Sequence, residues 1–420
     1  MKFRLIVMNF LEFGAWGAYL TSLGAYLARV GLGTDIGNYY AIQGVVSIFM
    51  PAIMGIVADR WVQAQRLLSF CHFMAAVFMG LAAWIGISAG DSTPDGAMLF
   101  TCYSLSVAFY MPTLALSNSV AYTAIDKAGL DTVKAFPPIR VFGTVGFLCA
   151  MWFENFTGFQ NTALQLGVSA ILSLVMAVYS LTMPSCPVGR NSARQSFAEA
   201  MGLKAFTLFK DKKMAFFFIF SFLLGVSLQI TNGYANPYIQ SFAELPEYAD
   251  AFFAQNSNLL ISLSQVSETL CILLIPFFLK RYGIKIVMLI SMLAWVGRFG
   301  FFGCGDPGSG VWLFILSCIV YGVAFDFFNV SGSLFVDRET DNTMRSSAQG
   351  LFMVMTNGLG ATIGSLSAKA VINSLVYADG LDVVQQNEGW RESWYIFAGY
   401  AFVVAVAFAI LFEYKHVREE

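Results

Sequence analysis

Met214-Ala-Phe-Phe-Phe-Ile-Phe-Ser-Phe-Leu-Leu-Gly-Val-Ser-Leu-Gln229-Ile-Thr-Asn232 is as long and apolar as a bilayer crossing requires, yet it ends on two carboxamides three positions apart. A span takes roughly 20 mostly apolar residues. Other runs of the same kind carry Gln265, Glu268 and Asp326, and Arg140 lies just inside the start of another. A polar side chain in hydrocarbon is costly and needs a partner, so each of these is a candidate functional residue. Together they predict a polar pocket inside an all-α membrane protein.

The rest of the composition agrees. The 420 residues are 57% hydrophobic and 12% charged, with 41 phenylalanines; soluble domains carry about 25% charge. A net charge of −2 gives no basic face for nucleic acid. Six of the seven cysteines fall in apolar runs and read as small core residues rather than a disulfide framework. Two histidines, His72 and His416, cannot build a histidine-based metal site, and His72 reads as a packed or capped residue at a span end. No cofactor is expected. Met1-Lys-Phe-Arg4 and the run behind it resemble a signal peptide, but the run passes Tyr26 without a small-residue cleavage site, so it reads as an uncleaved first span.

Twelve spans are predicted: 5–29, 37–58, 67–89, 97–124, 139–157, 162–183, 213–241, 255–279, 285–304, 310–335, 349–376 and 392–413. With both termini cytoplasmic, basic residues such as Arg60, Arg66, Lys127, Lys134, Arg281 and Arg338 fall on inner segments, while Arg29 and Arg391 fall outside. Basic residues of cytoplasmic loops set orientation, which supports this even-numbered layout. Residues 184–212, with Pro184, Pro187, Gly189, Arg190 and Arg194, form a long cytoplasmic linker between six-helix halves at 1–183 and 213–420. Residues 197–209 within it read as a candidate amphipathic surface helix. Two such halves are the arrangement of a transporter whose site lies between them near mid-membrane. A weak internal repeat supports the division: the basic loop around Asp59-Arg60 after the second span corresponds to Lys280-Arg281-Tyr-Gly283-Ile-Lys285 after the eighth.

Gly55-x-x-x-Asp59-Arg60 between the second and third spans resembles the loop signature of the major facilitator superfamily. The glycine allows close helix approach, and the acid and base pair across a cytoplasmic interface, so all three are assigned to gating. A narrower resemblance covers nearly the whole chain. Phe136-Pro-Pro-Ile-Arg140-Val-Phe-Gly-Thr144-Val-Gly-Phe147, Leu228-Gln229-Ile-Thr-Asn232, Ser264-Gln265-Val-Ser-Glu268 and Tyr321-Gly-Val-Ala-Phe325-Asp326 are similar to segments of the bacterial nucleoside:proton symporter family. The resemblance implies a major facilitator fold and nucleoside uptake driven by a proton gradient. It further implies a monomer in the bacterial inner membrane, with a site built from these segments.

Spacing makes the same residues chemically coherent. Positions three or four apart share a helix face, as do Gln229 with Asn232, Gln265 with Glu268, Arg140 with Thr144 and Phe147, and Tyr321 with Phe325. Carboxamides donate and accept, which suits Gln229, Asn232 and Gln265 to base edges and sugar hydroxyls. Aromatic faces stack on bases for roughly 1–3 kcal/mol each, and Phe147, Tyr321 and Phe325 are the candidate walls. Thr144 and Arg140 suit ribose hydroxyls. Low dielectric favours a neutral carboxyl and a nearby arginine an ionised one, so Glu268 or Asp326, with Arg140 as counter-charge, is the expected proton-coupling group.

Plainer readings stand beside these. Amides glue membrane helices together, most phenylalanines only pack, and Arg140 sits where it can snorkel to headgroups. Glu12 either joins the coupling path or hydrogen-bonds Trp16 or a neighbouring helix. Arg298 and Lys369 read as structural pairs or snorkelling cations. Asn236-Pro237, with Gly233 four residues before the proline, predicts a kink or break near the outer end of the seventh span, and an extracellular gate there; Gly225 and Gly233 are read as easing rotation. A sugar carrier or an uncoupled nucleoside facilitator fits the amides and aromatics too. A membrane enzyme finds no metal cluster or catalytic dyad in the sequence, and a receptor finds no sizeable soluble domain.

Overall fold

The structure is a computed structural model that describes residues 1–188, 203–341 and 344–414; the described residues are helical throughout, with no strand among them. The helices before the linker are α1 (Lys2–Gly17), α2 (Leu23–Arg29), α3 (Ile36–Arg60), α4 (Ala64–Ala89), α5 (Gly96–Tyr110), α6 (Thr113–Lys127), α7 (Thr132–Thr157) and α8 (Leu164–Ser180). After it come α9 (Lys212–Leu228), α10 (Ile230–Ser241), the single turn α11 (Phe252–Gln255), α12 (Ser257–Cys304), α13 (Val311–Glu339), α14 (Arg345–Met353), α15 (Ala361–Leu375) and α16 (Val383–Leu411). A π-helical stretch, Val354–Gly360, joins α14 to α15.

The predicted spans all lie on these helices, the first, fourth, seventh and eleventh each on two consecutive ones. Nine helices among the described residues are long and apolar enough to cross a membrane. Their outer faces confirm the solvent they are built for. On α4, Phe70, Phe73, Val77, Leu81 and Trp84 recur at three- and four-residue spacing and are all exposed, a continuous apolar stripe that water would not tolerate. Of the predicted amphipathic segment, 197–202 lies outside the described residues, as do Arg190 and Arg194, while Leu203–Lys210 is a 3-10 helix.

Two compact units emerge: Met1–Gly33 with Val45–Met201, and Thr34–Gly44 with Gly202–Glu420. In the first, α1 and α7 meet through glycines. A Cβ on Gly146 would strike the Phe10 carbonyl, and one on Gly17 would come within 2.6 Å of the Phe147 carbonyl oxygen. Small residues at such crossings are how membrane helices approach closely where lipid supplies no hydrophobic drive. The second unit uses the same device. Gly322 on α13 would carry a Cβ 2.5 Å from the Ser267 carbonyl oxygen on α12, and the Ser267 hydroxyl donates to the Ile319 carbonyl.

Helix interruptions fall where backbone chemistry permits them. Gly283, at φ 77°, splits α12 inside the predicted basic turn, a conformation that glycine alone adopts without steric cost. The seventh predicted span breaks at Gln229, between α9 and α10, and not at Asn236-Pro237. Pro237 sits inside α10, where a polar cluster grips the turn around it. Asn236 Nδ2 donates to Asn258 Oδ1 at 2.9 Å, and Gln240 Nε2 donates to Asn236 Oδ1 and to Ser257 Oγ. Those bonds hold the segment to α12, and the helix runs unbroken through Pro237, so the predicted break beside it is corrected. Gly225 and Gly233 are close-approach positions rather than swivels: a Cβ on either would meet the Thr356 backbone or the Tyr40 ring.

Candidate functional site

In the first unit, α7 carries Arg140, Thr144 and Phe147 along one face. The Arg140 guanidinium lies 3.8 Å from the centre of the Phe13 ring on α1, a cation–π contact. Phe147 is buried and meets Trp16 of α1 edge to face at 6.2 Å, and Trp16 in turn lies 6.1 Å from Tyr110. The predicted arginine and aromatic wall are therefore packed against α1, so Arg140 is held over a ring instead of extending freely toward headgroups.

The second unit assembles its candidates on three helices. At the break between α9 and α10, Asn232 Nδ2 donates to Gln229 Oε1 at 2.9 Å, which leaves the Gln229 amide nitrogen as a donor and the Asn232 carbonyl oxygen as an acceptor. A helix break exposes backbone groups that a side chain must answer, and this pair sits there. The Asn236–Asn258 bond ties α10 to α12, and Gln265 lies two turns further along α12 from Asn258. Glu268 follows one turn after Gln265.

Close α12–α13 packing at Ser267 and Gly322 brings Tyr321, Phe325 and Asp326 beside Glu268. The Tyr321 and Phe325 rings stack at 5.6 Å with 17° between planes. Glu268 and Asp326 are within electrostatic reach of one another and of Tyr321. Asp326 is 5% exposed, and its Oδ2 has no hydrogen-bond partner among the described residues. A buried acid and a half-buried one thus lie together next to a flat aromatic surface.

Arg298 belongs to this arrangement and was underweighted in the sequence. It is 2% exposed, its Nη1 donates to the Ser317 carbonyl at 2.9 Å and to Ser264 Oγ at 3.3 Å, and its guanidinium lies 4.4 Å from the Tyr321 ring centre. It is not a snorkelling side chain; it backs the aromatic pair. Lys369 is a structural pair, 3.2 Å from Asp35.

Glu12 takes the neighbouring-helix alternative, and the span-end placement of His72 is corrected. His72 is fully buried within α4, away from a span end, and its Nε2 lies 2.8 Å from Glu12 Oε2. Glu12 bonds to α4 and α6, whereas the Trp16 indole nitrogen has no partner among the described residues. Glu12 four residues before Trp16, and a histidine in the apolar run Cys71-His72-Phe73-Met74, were the available signals. In the gating motif, a Cβ on Gly55 would meet nothing within 4 Å, so this glycine serves no close approach here. Arg60 is exposed, and the Asp59 side chain lies outside what the structure describes. No group of three or more metal-ligating side chains occurs among the described residues.

Long apolar helices carrying buried polar and acidic side chains, in two compact units, define a multi-pass membrane transporter. A profile of the family described as Nucleoside H+ symporter matches residues 1–417, and the chain belongs to that family. It is 46% identical to xanthosine permease of Escherichia coli K12 over 99% of this chain and 97% of that one. It is 45% identical to nucleoside permease NupG of the same organism over 100% and 97%. A crystal structure of the nucleoside transporter NupG superposes with a TM-score of 0.91 at 43% identity, covering 98% of this chain and all of the other. A D-xylose–proton symporter at 13% identity and TM-score 0.69 shares the fold alone. The chain accordingly has the major facilitator fold and is a transporter rather than an enzyme. It carries out proton-coupled nucleoside transport in the bacterial inner membrane.

Proposed function

We propose that the protein imports nucleosides with protons by alternating access, drawing on the proton gradient and on no bound cofactor. In this reading it has twelve spans with both termini cytoplasmic, in six-helix halves at 1–183 and 213–420 joined by the 184–212 linker, and it works as a monomer in the lipid bilayer. Gln229, Asn232 and Gln265 take the hydrogen bonds of base edge and sugar. Phe147, Tyr321 and Phe325 supply stacking faces, and Thr144 and Arg140 take ribose hydroxyls. Gly55, Asp59 and Arg60 remain the candidates for the inner gate.

The observation that carries the reading is the pair Glu268 and Asp326 beside the stacked Tyr321–Phe325 rings. Asp326 is buried and Glu268 half-buried beside it, and carrying both ionised costs more than carrying one of them protonated. A proton taken up there prepares the site for a neutral, flat, hydrogen-bonding solute, and releasing both together couples their fluxes. Arg140 supplies the counter-charge that the ionised acid seeks when the proton leaves.

Neutralising the acids tests this. Asp326→Asn combined with Glu268→Gln is expected to retain nucleoside exchange down a concentration gradient and to lose proton-driven accumulation. Accumulation that persists in the double variant removes both acids from the coupling role. A runner-up, an uncoupled facilitator, predicts no difference between wild type and variant at any proton gradient.

A further inference from the structure

We propose that a groove between the inner ends of α4 and α8 holds one anionic phospholipid, with its phosphate on Arg66 and an acyl chain along the apolar walls. The site belongs to the first unit, and its place in the inner leaflet follows the orientation proposed above.

The groove arises from a change in side-chain size along one antiparallel helix pair. Toward the outer ends, small residues face each other. A Cβ on Gly80 would lie 3.9 Å from that of Ala170, and one on Gly167 would lie 3.9 Å from that of Ala83. Such a seam lets two membrane helices close up. Toward the inner ends the facing residues are large, and a cleft of about 350 Å³ opens between the helices. Its walls are Phe70 and Phe73 from α4, with Leu174, Val178 and Leu181 from α8 and the turn after it. All five are exposed. The helices stay tied at the floor, where the Ser69 hydroxyl donates to the Ala177 carbonyl at 2.7 Å. The tightened last turn of α8 leaves that oxygen free, because the Leu181 amide bonds to Val178 instead.

Charge decides the occupant. Arg66 stands at the mouth of the groove, one turn before Phe70. Other cations at this end of the unit are already engaged: Arg4 donates to the Thr182 carbonyl and Lys127 to the Ser185 carbonyl. Arg66 is exposed, and its guanidinium has no hydrogen-bond or ion-pair partner among the described residues. A guanidinium fork takes two phosphate oxygens at once, and the positive end of the α4 dipole adds to its field. Arg66 and Phe73 are seven residues apart, about 10 Å of helix, against roughly 15 Å for the hydrocarbon of one leaflet. A cation at headgroup depth above an apolar trough of that length matches a phosphate and the first part of its acyl chain. No carboxylate lines the groove to meet the ammonium of a zwitterionic headgroup. Basic pockets between membrane helices on the cytoplasmic side take anionic headgroups.

Photoactivatable phosphatidylglycerol and phosphatidylethanolamine with identical chains test the site. Each is added in trace amount to vesicles holding the purified protein, and labelled peptides are read by mass spectrometry. Peptides covering 66–73 and 174–181 are expected to take about fivefold more label from the anionic lipid, the worth of one arginine near the surface. Arg66→Gln brings that ratio to about one. Val178→Trp, a change on the exposed face that fills the groove, loses the label from both lipids at these peptides while other helices keep theirs. Equal labelling by the two lipids in wild type means general annular lipid only and overturns the proposal. A ratio that Arg66→Gln leaves unchanged, or labelling that survives Val178→Trp, overturns it as well. So does a wild type labelled on other helices but not here, which would give the groove to another occupant such as a second copy of the chain.

Discussion

Arg298 reaches from α12 to α13 with its guanidinium over the Tyr321 ring, and replacing it separates charge from shape. Lysine keeps the charge but loses the planar donor fork. Arg298→Lys is therefore expected to weaken nucleoside binding by about 0.5–2 kcal/mol, the range of a cation–π contact, and to leave membrane insertion intact. Equilibrium binding of labelled nucleoside to purified protein measures it, and wild-type affinity would show that Tyr321 needs no such backing. Most of the site was legible at this scale because intramembrane amides and acids are conspicuous: Gln229, Gln265, Glu268 and Asp326 could be picked out by polarity alone. Arg298 and Glu12 are equally conspicuous, but their partners are not. Ser317, Ser264, His72 and Thr113 reach them from other helices, and sequence spacing reports only neighbours on the same helix.

Several helix crossings in this protein place a glycine against a neighbouring carbonyl. Gly322→Val would drive a side chain into the Ser267 backbone and push α13 off α12, costing about 1–3 kcal/mol by overpacking. The expected outcomes are a lower melting temperature in detergent and impaired transport; a variant with normal melting and uptake would mean the helix contact is slack. Gly283→Ala, at φ 77°, is expected to cost about 1–2 kcal/mol from the left-handed backbone alone, read by the same melt. Gly55→Ala is expected to leave the melt unchanged, because no atom stands within 4 Å of the added methyl. Span locations followed from hydropathy, and the turn at Gly283 from its basic flanks. The break at Gln229 did not, since proline is the louder local signal and only the Asn236–Asn258–Gln240 cluster shows why Pro237 rides within a continuous helix.

Across the whole chain, the family profile spans residues 1–417, and the physical reading agrees with it: apolar stripes outside, acids and amides within. The central claim is that a proton gradient drives nucleosides inward through these helices. Uptake of labelled uridine into liposomes holding the purified protein, with and without an inward proton gradient, tests it most directly. The account predicts accumulation above equilibrium with the gradient and simple equilibration without it. Equilibration to the same level in both conditions would contradict it and leave a facilitator in which Glu268 and Asp326 carry no coupled proton.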